Sequence, residues 1–105
     1  MTSVFDGYHD RFNEEVRLII LKGLYDEESG QMSDSMLMFV LEAFAVNRSR
    51  EYLRTQLRWL EQQAGAVKLR EISTAMIAEL TQIGEDHLTR RASIEGVKPP
   101  SRSRS

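Results

Sequence analysis

The feature that most constrains this chain is a change of period at Gly65. Before it, "SREYLRTQLRWLEQQAG" (residues 49–65) sets Leu53, Leu57 and Leu60 at spacings of four and three, the mark of one buried helix face. After it, "AVKLREI" alternates Val67, Leu69 and Glu71 against Lys68, Arg70 and Ile72, and a short apolar run, "AMIAEL", follows the polar "ST". A helix stopped by glycine and then a two-stranded hairpin, roughly Val67 to Leu80, satisfies both patterns.

The segments before this pair are helical. "FNEEVRLIILKGLYDE" places Phe12, Val16, Ile19, Ile20 and Leu24 on one side, which predicts a first helix ending near Glu27. A break at Gly30 separates it from "SDSMLMFVLEAFAV", where Ser33 or Asp34 is the expected N-cap and Met36, Leu37, Val40, Leu41 and Phe44 the expected buried stripe. Only "VNRS" then precedes the third helix, with Ser49 as its cap. "TQIGEDHLTRRAS" predicts a fourth helix from Thr81, with Ile83 and Leu88 toward the core and acids ahead of arginines in the sense that suits the helix dipole. The order helix, helix, short turn, helix, hairpin, helix is that of a winged helix-turn-helix domain. There the third helix enters the DNA major groove and the hairpin is the wing. The expected fold class is therefore mainly α with a small β-hairpin. The expected division is a domain over residues 1–94 and a flexible basic tail, residues 95–105, carrying Lys98, Arg102 and Arg104.

Five segments, "RLIILKGLYDE", "SDSMLMFVLEAFAV", "SREYLRTQLRWLEQQAG", "LTQIGEDHLTRR" and "IEGVKPP", resemble the short winged-helix proteins of Mu-like phages and prophages. Their genes commonly lie near DNA-packaging genes. The likeness runs from about Phe12 to Pro100, and the later Leu-Thr-x-x-Gly element is also similar to winged-helix repressors of the arsenic-sensor and antibiotic-resistance types. Such a resemblance implies the winged-helix fold and a phage setting, with a regulatory or packaging-related role. Where relatives often carry a glycine pair at the wing tip, this chain has "REISTAM".

The chemistry-bearing residues narrow the function further. Arg48, Arg50, Arg54 and Arg58 step along the polar side of the third helix, where guanidinium forks match phosphates and guanine edges. Lys68 and Arg70 would add wing contacts. The alternative is a solvated face on which Glu51 pairs with Arg50 or Arg54. Net charge is only −2, yet residues 1–47 carry nine acids against three bases and residues 48–105 eleven bases against seven acids. That gradient favours an anionic partner, double-stranded DNA, for the second half; the acidic total favours the rival, a protein-interaction module docking on a packaging or assembly component. Trp59 is expected in the core or where the third helix meets the hairpin, with base stacking as the alternative. Phe5, Tyr8 and Phe12 offer an aromatic seam for a homodimer.

Other functions find no support in the residues. With no cysteine, and with His9 and His87 far apart and both expected at the surface, no metal-ligand set is assembled, so metal sensing is not inherited from the repressors. No nucleophile constellation or phosphate-binding glycine loop points to an enzyme or a cofactor. No apolar run is long enough for a bilayer, and the start lacks a basic and then apolar leader, so a cytoplasmic protein is expected, in the host if phage-encoded.

Overall fold

The computed structural model describes residues 4–101. Its elements are α1 (Val4–Asp26), β1 (Gln31–Ser33), α2 (Asp34–Ala43), α3 (Arg50–Gln62), β2 (Val67–Ile72), β3 (Ala75–Leu80) and α4 (Gln82–Leu88). The strands form one antiparallel sheet in the order β1-β3-β2. The expected hairpin is present, with Val67 opposite Leu80 and Ile72 opposite Ala75. The third strand was not predicted: β1 pairs Gln31 with Glu79 and Ser33 with Ile77.

Three serine and threonine caps set the helix starts. Ser33, Ser49 and Thr81 accept hydrogen bonds from the N–H groups of Met36, Tyr52 and Gly84, each satisfying a donor that the first helical turn leaves without a partner. Ser33, not Asp34, is thus the cap of α2. At the far end of α3, Gly65 takes φ +65, and the next N–H, from Ala66, returns to the Leu60 carbonyl at 2.8 Å.

One core holds the elements together. Val16, Ile20, Leu21 and Leu24 of α1, Leu37 and Leu41 of α2, Leu53, Leu57 and Leu60 of α3, and Val67, Met76 and Ala78 of the sheet are all buried in it. The register puts Val67, Leu69, Met76, Ala78 and Leu80 on the face toward the helices and Lys68, Arg70, Ile72, Ile77 and Glu79 on the opposite face.

Several expectations are corrected. Helix α2 ends at Ala43, so Phe44 leaves the helix and is exposed, as is Met36, and the buried stripe narrows to Leu37 and Leu41. In α4 the inward residue is His87, buried to 1% exposure, while Ile83 is exposed. The buried imidazole is fully satisfied by backbone: the Ile94 N–H donates to Nδ1 at 3.0 Å, which leaves the proton on Nε2 to donate to the Lys98 carbonyl at 2.9 Å. Residues 95–100, expected as the start of a loose tail, lie on the domain instead. Val97 is buried, the Lys98 N–H donates to the Glu14 carbonyl, and Arg17 donates through Nη1 to the Gly96 carbonyl. One apolar residue among prolines and charges is enough to anchor the segment when its backbone groups find partners. Arg102 and Arg104 lie outside the described residues.

The Leu-Thr-x-x-Gly element has a steric basis. Thr81 donates through its N–H to the Ala66 carbonyl and through Oγ1 to the Gly65 carbonyl, which draws α4 against the strand entry. A Cβ on Gly84 would then stand 2.5 Å from the Ala66 carbonyl oxygen and 2.7 Å from Leu80 Cδ1. Because the first obstacle is backbone, Gly84→Ala is expected to destabilise the domain by about 1–3 kcal/mol as an overpacking substitution. An unchanged urea midpoint would show that α4 is free to back away.

Candidate nucleic-acid interface

Helix α3 divides into two faces. Leu53, Gln56, Leu57 and Leu60 are buried, and Glu51, Thr55, Arg58 and Gln62 are exposed. The buried Gln56 is not wasted: its Oε1 accepts from Arg17 Nε at 2.9 Å, and the Arg17 guanidinium stacks 3.7 Å from the Trp59 ring centroid. Trp59 is half-buried there, packed against the core as expected, with Arg17 over its ring and Gly96 of the C-terminal segment beside it.

The predicted basic residues fall into three groups. Arg50 and Arg54 converge on one carboxylate, that of Asp34 at the first position of α2. Arg54 donates through Nε at 2.8 Å and approaches through Nη2 at 2.7 Å; Arg50 Nη1 lies 3.1 Å from the same oxygen, Oδ2. The other oxygen, Oδ1, accepts the Ser35 N–H at 2.9 Å and the Met76 N–H at 3.4 Å. Arg54 Nη2 also donates to the Thr74 carbonyl in the hairpin turn at 2.6 Å, and Arg50 donates to Ser35 Oγ at 3.1 Å. The partner of these arginines is therefore Asp34, not the neighbouring Glu51.

Asp34 is wholly buried. Burial alone would raise the pKa of its carboxyl group, but hydrogen bonds from Arg54, the Met76 N–H and Arg50, together with the charge of Arg54, outweigh that and hold it below the ordinary aspartate value. Sequence reasoning missed this residue. Apart from the Ser35 N–H, its partners lie 16 to 42 positions away, and nothing local to "SDS" separates a capping acid from a buried one.

Arg48 forms a second group by itself, its guanidinium 4.4 Å from the Phe12 ring centroid and 5.9 Å from that of Tyr52. Tyr8, of the expected dimer seam, stacks on the other neighbour of this cluster, Phe12, and is exposed; the Phe5 side chain lies outside the described residues.

Lys68 and Arg70 form the third group, on the sheet face turned away from the helices. Lys68 stands opposite Glu79 in the register, and Arg70 Nη2 donates to Gln31 Oε1 at 2.7 Å. Arg58 belongs to none of the three: exposed on α3, it has no ion pair or hydrogen bond through its side chain among the described residues.

No group of three or more metal-binding side chains occurs among the described residues, and none of their helices is long and apolar enough to cross a membrane.

Fold and surface together define a small, mainly helical protein with a three-stranded antiparallel sheet and a basic, polar third helix. The chain is 34% identical over 92 residues to the uncharacterized protein gp26 of Escherichia phage Mu, a match spanning 88% of this chain and 94% of the Mu protein. It belongs to the family of that protein. No protein-family profile matches the chain, and no solved structure matches it significantly.

Proposed function

We propose that this chain is a winged helix-turn-helix protein of a Mu-like phage that binds double-stranded DNA through α3, acting in the host cytoplasm as a non-enzymatic accessory factor in regulation or packaging. The architecture is supported by the element order α1, β1, α2, α3, β2, β3 and by β1 closing a sheet on the far side of the hairpin.

The observation that carries the DNA reading is the outward face of α3. It is polar throughout, presents Arg58 with no side-chain partner among the described residues, and is flanked by the half-exposed Arg50 and by Arg48 at the helix entry. A phosphate-facing helix needs such donors in a fixed frame, and the buried leucines behind them supply the frame. A homodimer along the first turns of α1, where Tyr8 is exposed, fits the same reading.

Arg58→Ala is the direct test. In a fluorescence anisotropy titration with random duplex DNA at several salt concentrations, losing one phosphate contact should reduce the magnitude of the slope of log affinity against log salt by about 0.9. Melting should hardly change.

A second reading has its own support. Met36 and Phe39, three apart on α2, are exposed together with Phe44, and Phe39 is 65% exposed, an apolar face of the kind a protein partner covers. If the parent chain ignores duplex DNA even in low salt, the interaction module that docks on a phage packaging or assembly component replaces the DNA-binding protein.

A further inference from the structure

The surroundings of Asp34 are those of an oxyanion site. Two guanidiniums, an N–H at the start of α2 and an N–H from the hairpin converge on it, the donor set by which proteins hold phosphate or carboxylate groups. What fills the site is a carboxylate of the chain itself.

We infer that Asp34 is an internal anion standing in for a phosphate on Arg50 and Arg54, so that it withholds Arg50 from DNA and sets how strongly α3 binds. The inference rests on the DNA-binding reading for its consequence, though not for the site itself.

The two arginines are not held alike. The Arg54 side chain is 18% exposed and is held at both ends, by Asp34 and by the Thr74 carbonyl, so it stays in place. The Arg50 side chain is 47% exposed and makes one 3.1 Å approach to Asp34 and one bond to Ser35. Arg50 can be released from Asp34 without opening the core, because Arg54 and both backbone N–H groups stay behind to hold the carboxylate. Arg50 is then the contact that Asp34 withholds, Arg58 the standing one, and Arg54 a positioning residue that ties α3 to the hairpin turn.

Two measurements test this, one of them without DNA. Asp34→Ala removes the carboxylate and leaves a space the size of formate. The melting midpoint of this variant should be lower than the parent's. It should recover by several degrees in sodium formate compared with sodium chloride of equal concentration, rising with formate and levelling off, as expected for an anion that binds only the folded state. The parent should show no such difference, and the double variant Asp34→Ala with Arg54→Ala should lose the recovery. Equal midpoints of Asp34→Ala in the two salts would overturn the internal-anion assignment.

The second measurement uses Asp34→Asn, which keeps the shape and removes the charge. With Arg50 released, its binding to random duplex DNA should be tighter than the parent's, and its salt slope steeper by about 0.9 for the added phosphate contact. Adding Arg50→Ala should remove that increment. A slope identical to that of the parent, when the parent binds, overturns the withholding role. Formate recovery in Asp34→Ala, with no DNA binding by parent or Asp34→Asn, upholds the anion site and rejects the DNA reading.

Discussion

Replacing Arg54 with alanine is expected to cost about 3 kcal/mol of stability at neutral pH, at the low end of the roughly 3–5 kcal/mol seen when one partner of a buried pair is removed. The loss comes less from the missing attraction than from what remains: a carboxylate at 0% exposure whose two closest approaches have gone. Arg50 retains its contact with the same oxygen, which is why the lower figure is expected. The hairpin turn also loses its tie through the Thr74 carbonyl.

The pH dependence separates this account from a simple packing loss. In the parent the carboxyl pKa is depressed, so its ionised form stabilises the fold above the unfolded value, about 3.9, and that contribution disappears as pH falls through the lower folded value. In Arg54→Ala burial is opposed by fewer donors and the carboxyl takes up its proton at higher pH. The gap in stability between parent and variant should therefore narrow on acidification toward pH ~4. Urea melts at neutral and acid pH check this. A gap independent of pH would mean that the guanidinium acts only by filling space.

Leu57→Ala should be comparably damaging for a different reason. Leu57 is fully buried in the same cluster as Ile20, Leu53 and Leu60, so truncation removes apolar contacts and leaves a cavity, at about 2–5 kcal/mol. Against a typical total of about 5–15 kcal/mol for a whole domain, either substitution takes a large share. Phe39→Ala is the control, a larger side chain on α2 that is mostly exposed, and it should leave the midpoint nearly in place. Equal midpoints for Leu57→Ala and the parent would show that α3 does not seat on its leucines.

The contrast between these positions marks what could be read from the chain. Period and caps are local properties, so the third helix, its cap at Ser49, its stop at Gly65 and the hairpin beyond it were legible. Leu53, Leu57 and Leu60 as the inner face followed from spacing alone. Strand β1 was not legible: it has three residues, Gln31–Ser33, too few to show alternation, and it exists only because β3 offers an edge. Nor was the fate of the arginines. A step of four places Arg50, Arg54 and Arg58 along one side of a helix, but the acid that takes two of them arrives from another helix. His87 reads as a surface residue in the sequence for the same reason, since the backbone groups that satisfy its ring lie beyond α4, on Ile94 and Lys98.

That same segment, residues 94–98, bears on how the domain comes together in time. The bond from Arg17 to the Gly96 carbonyl joins residues 79 apart in sequence, and the bond from Lys98 to Glu14 reaches across a similar distance. Contacts this far apart reward the chain only after the intervening loop has been closed, whereas the β2 and β3 hairpin and the helical turns form from neighbours. The segment is thus expected to fasten after the core has assembled, and until it does the Trp59 ring has Arg17 on one side and water where Gly96 will lie. The fluorescence of Trp59, the chain's single tryptophan, would then report the closing step of folding rather than the collapse of the leucine core.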